Sequence, residues 1–114
     1  MWRDDSLLLD MLVAARHARS FVHDLDEKAF LASKLHQDAV VRELEVLGEA
    51  AARVSDDVRA EHPDIPWPQI VGLRNRLIHE YFRVQLDVVW SVVANELPSL
   101  IEQMEAIVPP EVDE

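Results

Sequence analysis

The sequence predicts an all-α fold in one domain, and three observations carry that expectation. Only two glycines occur in 114 residues, so few residues suit the tight turns that join strands. No stretch alternates apolar with polar residues for long, as a half-buried strand would. Apolar residues recur instead every three or four positions over long segments, the period of helices that bury one face. A 114-residue chain that is 49% hydrophobic suits one core, so residues 1–114 are expected to form a single domain with a short acidic tail over 109–114.

Each element has its own signals. Asp4, Asp5 and Ser6 offer N-caps for a first helix, whose apolar positions Leu8, Met11, Leu12, Ala15, Ala18 and Val22 run to about Leu25. Asp26 or Ser33 caps a long second helix reaching about Val54, with the stripe Val40, Leu44, Leu47, Ala51 and Val54. Gly48 interrupts it at about 1 kcal/mol against alanine; simple tolerance and close packing of a neighbouring helix both remain open. Ser55 and Asp56 start a short third helix that stops at His62-Pro63. Pro66 and Pro68 set the start of the fourth, which carries Ile70, Leu73, Leu77 and Ile78.

The last helix is expected from about Asp87 to Val108, halted by Pro109-Pro110. Pro98 lies inside it, lacks an N–H, and is expected to kink it. Leu86, Val89, Val93, Leu97, Leu100 and Met104 form one stripe, while Val88 and Val92 stand about 100° away. That second face reads either as a partner surface or as burial on several sides.

The formal net charge of −11 argues against a protein that binds nucleic acid over its whole surface. The charge is uneven, however. Residues 72–83 hold three arginines (74, 76 and 83) and one acid, Glu80, while the acids gather at Asp4/Asp5, Asp24/Asp26/Glu27, Asp56/Asp57 and the C-terminal tail. This leaves room for a small basic cleft within an acidic shell that would suit a basic protein partner. No cysteine is present, which excludes disulfides and thiolate metal sites. The start, Met-Trp-Arg-Asp-Asp, places acids where a signal peptide carries its positive charge, and no apolar run approaches the roughly 20 residues of a membrane span. A soluble cytoplasmic protein with no membrane association is expected.

The chemistry concentrates in Arg74-Asn75-Arg76-Leu77-Ile78-His79-Glu80-Tyr81. This string combines a permanent cation, an amide, an imidazole and a phenol, groups that can grip a phosphodiester and move a proton. Arg74 and His79 are five residues apart, about 140° around an ideal helix, so they do not share a face; Asn75 and His79, four apart, do. Loosening of the helix after His79 would let Arg74 and His79 flank one pocket, with Asn75 orienting the imidazole. Arg76 points about 200° away from Arg74, toward a ligand or toward solvent. Taken alone, Tyr81 also reads as a half-buried aromatic beside the helix.

Other candidates are weaker. His17, His23, His36 and His62 form no H-x-x-x-H or E-x-x-H pair, so no metal site or other cofactor is expected. Glu45 and Glu49 share a helix face, but Arg42 and Arg53 lie one turn before and after, and an arginine–carboxylate ladder accounts for them better than an acid–base pair.

The string resembles the R-x4-6-H signature of HEPN-domain ribonucleases, and the tyrosine two residues past the histidine narrows the resemblance to the HepT toxin branch. Arg42-Glu43-Leu44-Glu45-Val46-Leu47-Gly48-Glu49-Ala50 is similar to the R-x-L-E-x-I-G-E-A pattern of that family's second helix. Ile65-Pro66-Trp67 and Leu86-Asp87-Val88-Val89-Trp90 also look like the family, so four ordered blocks cover roughly residues 35 to 100.

The resemblance implies a HEPN-type antiparallel bundle of four to five helices. It also implies a homodimeric, metal-independent RNase toxin with Arg74 and His79 as catalytic residues and Asn75 in support. Arg76 and Arg42 are candidate RNA contacts. Two protomers would face each other across one cleft. The implied partner, besides RNA, is an MntA-like nucleotidyltransferase antitoxin that modifies Tyr81 to O-AMP-tyrosine. The rival reading is a non-catalytic helical subunit that binds a nucleotide or presents a transferase with its substrate.

Overall fold

A computed structural model describes residues 2–79 and 85–109. In chain order the elements are α1 (Trp2–Phe21), α2 (Glu27–Leu31), α3 (Lys34–Arg53), α4 (Asp56–Glu61), α5 (Trp67–His79) and a final stretch made of α6 (Leu86–Ser91), a π-helical turn (Val92–Glu96) and α7 (Leu97–Ile107). Among the described residues there is no strand, and the all-α expectation holds. Most of the acidic tail, residues 110–114, lies outside the described residues.

The stripes read from the sequence are the core. On α1, Leu8, Met11, Leu12, Ala15 and Ala18 are buried, as is Val22 just past its end, and they share one core with Val40, Leu44, Leu47 and Ala51 of α3. α3 lies between α1 and α5, and α7 closes over α1 with Leu100 and Met104 buried. Phe30 of α2 is fully buried, its ring centroid 5.4 Å from that of Trp90.

Three boundaries differ from expectation, each for a capping reason. α1 ends at Phe21 rather than Leu25, because the chain then turns on the bonds Val22 N to Arg19 O and Leu25 N to Val22 O. It must leave the helix there so that Asp26 can take the extended conformation of an N-cap and accept from the Ala29 N–H at 2.8 Å. Asp26 and Ser33, read as alternatives for one helix, both cap: Asp26 starts α2, and Ser33 starts α3 by accepting from the His36 N–H. The third correction concerns Asp4, which lies within the first turn of α1 and does not cap it.

The carboxylate of Asp4 instead crosses to the other end of α3. It accepts from the Ser55 backbone N–H at 2.9 Å and from Ser55 Oγ at 3.0 Å, while Ser55 itself caps α4 by accepting from Val58 N–H. The adjoining C-terminal carbonyls of α3 are satisfied by Arg59, whose guanidinium donates to Ala51, Ala52 and Val54 oxygens at 3.0, 2.8 and 3.1 Å.

At Pro98 the structure records a change of helical register. The Leu97 N–H bonds to Val92 O, five residues back. In that register the Val93 carbonyl would look to residue 98, a proline with no N–H to give. It accepts instead from Arg19 Nη1 at 3.2 Å, so α1 supplies the donor that the proline lacks. The expectation at this position was a kink; the feature described is a π-helical turn just before Pro98, which a proline one residue into α7 accommodates.

The Asp4 contact yields a pH-dependent expectation. The Ser55 N–H bond holds its carboxyl below the ordinary value of 3.8, partly opposed by burial and aided by the Ser55 hydroxyl. A lowered folded-state pKa means stability that is present above the ordinary aspartate range and lost as pH falls through the folded value. Asp4→Ala should therefore lower the melting temperature by several degrees at pH 7, and the gap from wild type should close below about pH 4. A gap as wide at pH 3 as at pH 7 would show that the contact does not depend on the charge.

Candidate active site

α5 is anchored at its start and working at its end. Trp67 is buried, with its indole Nε1 donating to His62 O at 2.9 Å, and Pro68 follows in the first turn. Ile70, Leu73 and Leu77 turn toward the core. Ile78, expected on the same stripe, is 41% exposed.

Arg74 emerges from the contact between α5 and α3. A Cβ built on Gly48 would overlap the Arg74 Cβ and stand 2.8 Å from its Cγ and 3.1 Å from Ile70 O. Of the two readings of Gly48, close packing of a neighbouring helix is the one observed. Farther along the side chain, Arg74 Nε is shielded from solvent without a hydrogen-bond partner among the described residues, and Nη1 donates to Asn75 Oδ1 at 3.0 Å. Asn75 therefore engages the arginine beside it; among the described residues its side chain makes no bond to the imidazole of His79.

Like Arg42, Arg53 and Arg76, Arg74 has no carboxylate within ion-pair distance among the described residues; what distinguishes it is the buried Nε without a partner. α5 itself contains Arg74, Arg76 and no acid. His79 is exposed at the C-terminal end of α5, and the helix is maintained through it. On an ideal helix Arg74 and His79 stand about 140° apart; the loosening expected after His79 falls on residues outside the described ones. Tyr81 lies outside the described residues.

Arg76 is exposed and borders an apolar groove of about 540 Å³ between α3, α5 and the final stretch, lined by Leu73, Val88 and Val92 among others. Val88 and Val92 are the second face noted in the sequence, and they are half-buried there. Arg42 is exposed on α3, six residues before Gly48. The ladder expected from Arg42, Glu45, Glu49 and Arg53 is not formed: none of the four pairs with another at ion-pair distance among the described residues. Also among them, no group of three His, Cys, Asp or Glu side chains is arranged to hold a metal ion, and no helix is long and apolar enough to cross a membrane.

Two contributions were missed by reading the sequence. Arg19, beside Ala18 on the stripe of α1, had no role assigned from the sequence and is the donor to the Val93 carbonyl. The role of Gly48 was signalled by a bare position in the middle of a buried stripe, but its partner on α5 was not.

The family model for HepT-like ribonucleases matches residues 11–107. A protein of Methanocaldococcus jannaschii named as a candidate RNase is 35% identical over 102 residues, covering 90% of this chain and 94% of its own. One from Thermococcus cleftensis, named a probable ribonuclease HepT, is 36% identical over 100 residues, covering 88% and 91%. A candidate RNase of Caldanaerobacter subterraneus is 41% identical over 69 residues, covering 60% and 62%. No solved structure gives a significant match. With the family model spanning the helices from α1 to α7, including the one that carries Arg74 and His79, the chain belongs to the HepT-like ribonuclease family.

Proposed function

We propose that this chain is a metal-independent RNase whose site is completed by a second copy of itself. The observation that carries this reading is Arg74: a clamped guanidinium with no carboxylate partner among the described residues, on a helix without acids, in a chain of net charge −11. An unneutralised arginine held in this way is ready for a phosphate. Membership of the HepT-like ribonuclease family supports RNA as the substrate.

The chemistry follows from the two side chains. His79 removes the proton of a ribose 2′-hydroxyl; the O2′–P bond forms, the P–O5′ bond breaks, and a 2′,3′-cyclic phosphate and a 5′-hydroxyl result. Arg74 holds the phosphate and stabilises the charge that builds on its oxygens. Because the two side chains leave one helix about 140° apart, a facing protomer is the natural source of the complementary set. Its own His79 then protonates the departing 5′ oxygen. Arg76 and Arg42 add exposed positive charge for neighbouring phosphates. Asn75 steadies the guanidinium through its Oδ1.

Dimerisation is supported by the apolar groove beside Arg76, since a second copy would cover Val88 and Val92. Light scattering at micromolar concentration should return about twice the 13.1 kDa chain mass; a monomer only would remove the shared cleft. His79→Ala and Arg74→Ala should each reduce RNA cleavage by at least roughly 100-fold with melting nearly unchanged, and chelator should have no effect. Loss of cleavage together with unfolding would assign both residues to structure, and metal dependence would overturn the mechanism.

By resemblance, the nuclease is a toxin restrained by a nucleotidyltransferase. The phenolic oxygen of Tyr81 attacks the α-phosphorus of ATP, pyrophosphate leaves, and the phenolic proton passes to a base. The added AMP places a negative phosphate and an adenosine beside the arginine, closing the site by charge and bulk. Incubation with the cognate transferase and ATP should add AMP mass to wild type and none to Tyr81→Phe, which keeps much of its cleavage activity. An adduct that persists in the Phe variant would mean that Tyr81 is not the acceptor.

A further inference from the structure

Gly48 sits in the buried middle of α3, opposite the root of Arg74. A side-chain carbon there would meet the Arg74 Cβ and Cγ and the backbone oxygen of Ile70. None of these is the loose end of a flexible chain, so the obstacle cannot swing aside. The second glycine provides the contrast: a Cβ on Gly72 would meet nothing within 4 Å. Both glycines lie inside helices, where alanine is the better helix former. Only at Gly48 does the packing demand a bare Cα.

We infer that Gly48 is a positioning residue for the nuclease site, because its bare Cα lets α5 seat the Arg74 root against α3 and so fixes where the guanidinium emerges. This rests on the reading of Arg74 as the group that holds the phosphate. Two features of the same side chain fit a clamped rather than a sweeping arginine. Its Nε is out of reach of solvent, and its Nη1 is latched to Asn75 Oδ1 at 3.0 Å. An arginine on a free surface has many rotamers to lose on gripping a phosphate; one held at root and tip has few. Inserting a methyl group at Gly48 would push that root outward by an amount on the order of 1 Å, and displacements of this size cost catalytic groups up to roughly 100-fold in rate.

The test uses the full-length chain and an RNA oligonucleotide, with kcat, KM and melting temperature measured together. Gly48→Ala should lower kcat/KM by roughly 10- to 100-fold, mostly through kcat. Gly72→Ala, which meets no obstacle within the protomer, is the control for helix propensity and should not lower the melting temperature. In the Arg74→Ala background, Gly48→Ala should remove nothing further, since the group that it misplaces is already gone. Wild-type activity in Gly48→Ala beside an inactive Arg74→Ala would overturn the positioning role while leaving Arg74 in place. Full activity of Arg74→Ala would remove the reading of Arg74 and this inference together. Should Gly48→Ala fail to fold, the exchange variant Gly48→Ala/Arg74→Gly decides. Recovered folding supports the seat, because the bare position then lies on the opposite helix; continued collapse overturns it.

Discussion

The closeness of α3 and α5 at Gly48 is the constraint on which the proposed site depends. α3 is the middle helix of the bundle, packed by α1 on one side and α5 on the other. Its buried stripe of Val40, Leu44, Leu47 and Ala51 fixes its place in the core. Gly48 then determines how near α5 can come, and Arg74 is the side chain rooted at that nearest point. The positive group of the proposed site is thus rooted against the core, whereas His79 stands exposed at the helix end. A rigid cation and an exposed proton carrier are a reasonable division of labour: charge stabilisation gains from fixed geometry, and proton transfer needs access to the substrate.

The rest of the bundle is tied by polar contacts at the helix ends. Asp4 of α1 binds the N-cap of α4, Arg59 closes the C-terminus of α3, and Arg19 serves the carbonyl that Pro98 leaves without a donor. Each satisfies backbone or capping groups that helix ends and register changes expose. With short α2 and α4 contributing little buried surface beyond Phe30 of α2, these contacts hold the connections between the long helices.

Much of the fold was legible in the sequence because helical period and capping chemistry are local. Ser33, Ser55 and the prolines around Trp67 mark their boundaries, and the apolar stripes of α1, α3 and the final stretch are the buried ones. What was not legible depends on contacts between distant segments. That Asp4 would serve Ser55, 51 residues away, or that Arg19 would reach Val93, 74 away, has no local signal. The same holds for the site. Arg74 and His79 stand out by residue type and by resemblance, but the seat at Gly48 and the Asn75 latch appear only once α3 and α5 are packed. The ladder expected from Arg42, Glu45, Glu49 and Arg53 had the right helical spacing and still did not form, as is common for exposed pairs with little to gain.

The central claim is that Arg74 and His79 promote attack by the ribose 2′-hydroxyl on its own phosphate. The most direct measurement compares an RNA oligonucleotide cut at a mapped position with the same strand carrying a single 2′-deoxy sugar on the 5′ side of that bond. The account predicts 2′,3′-cyclic phosphate and 5′-hydroxyl ends from the first and no cleavage at that position in the second. Cleavage of the deoxy strand at an equal rate, or products with 5′-phosphate ends, would contradict it.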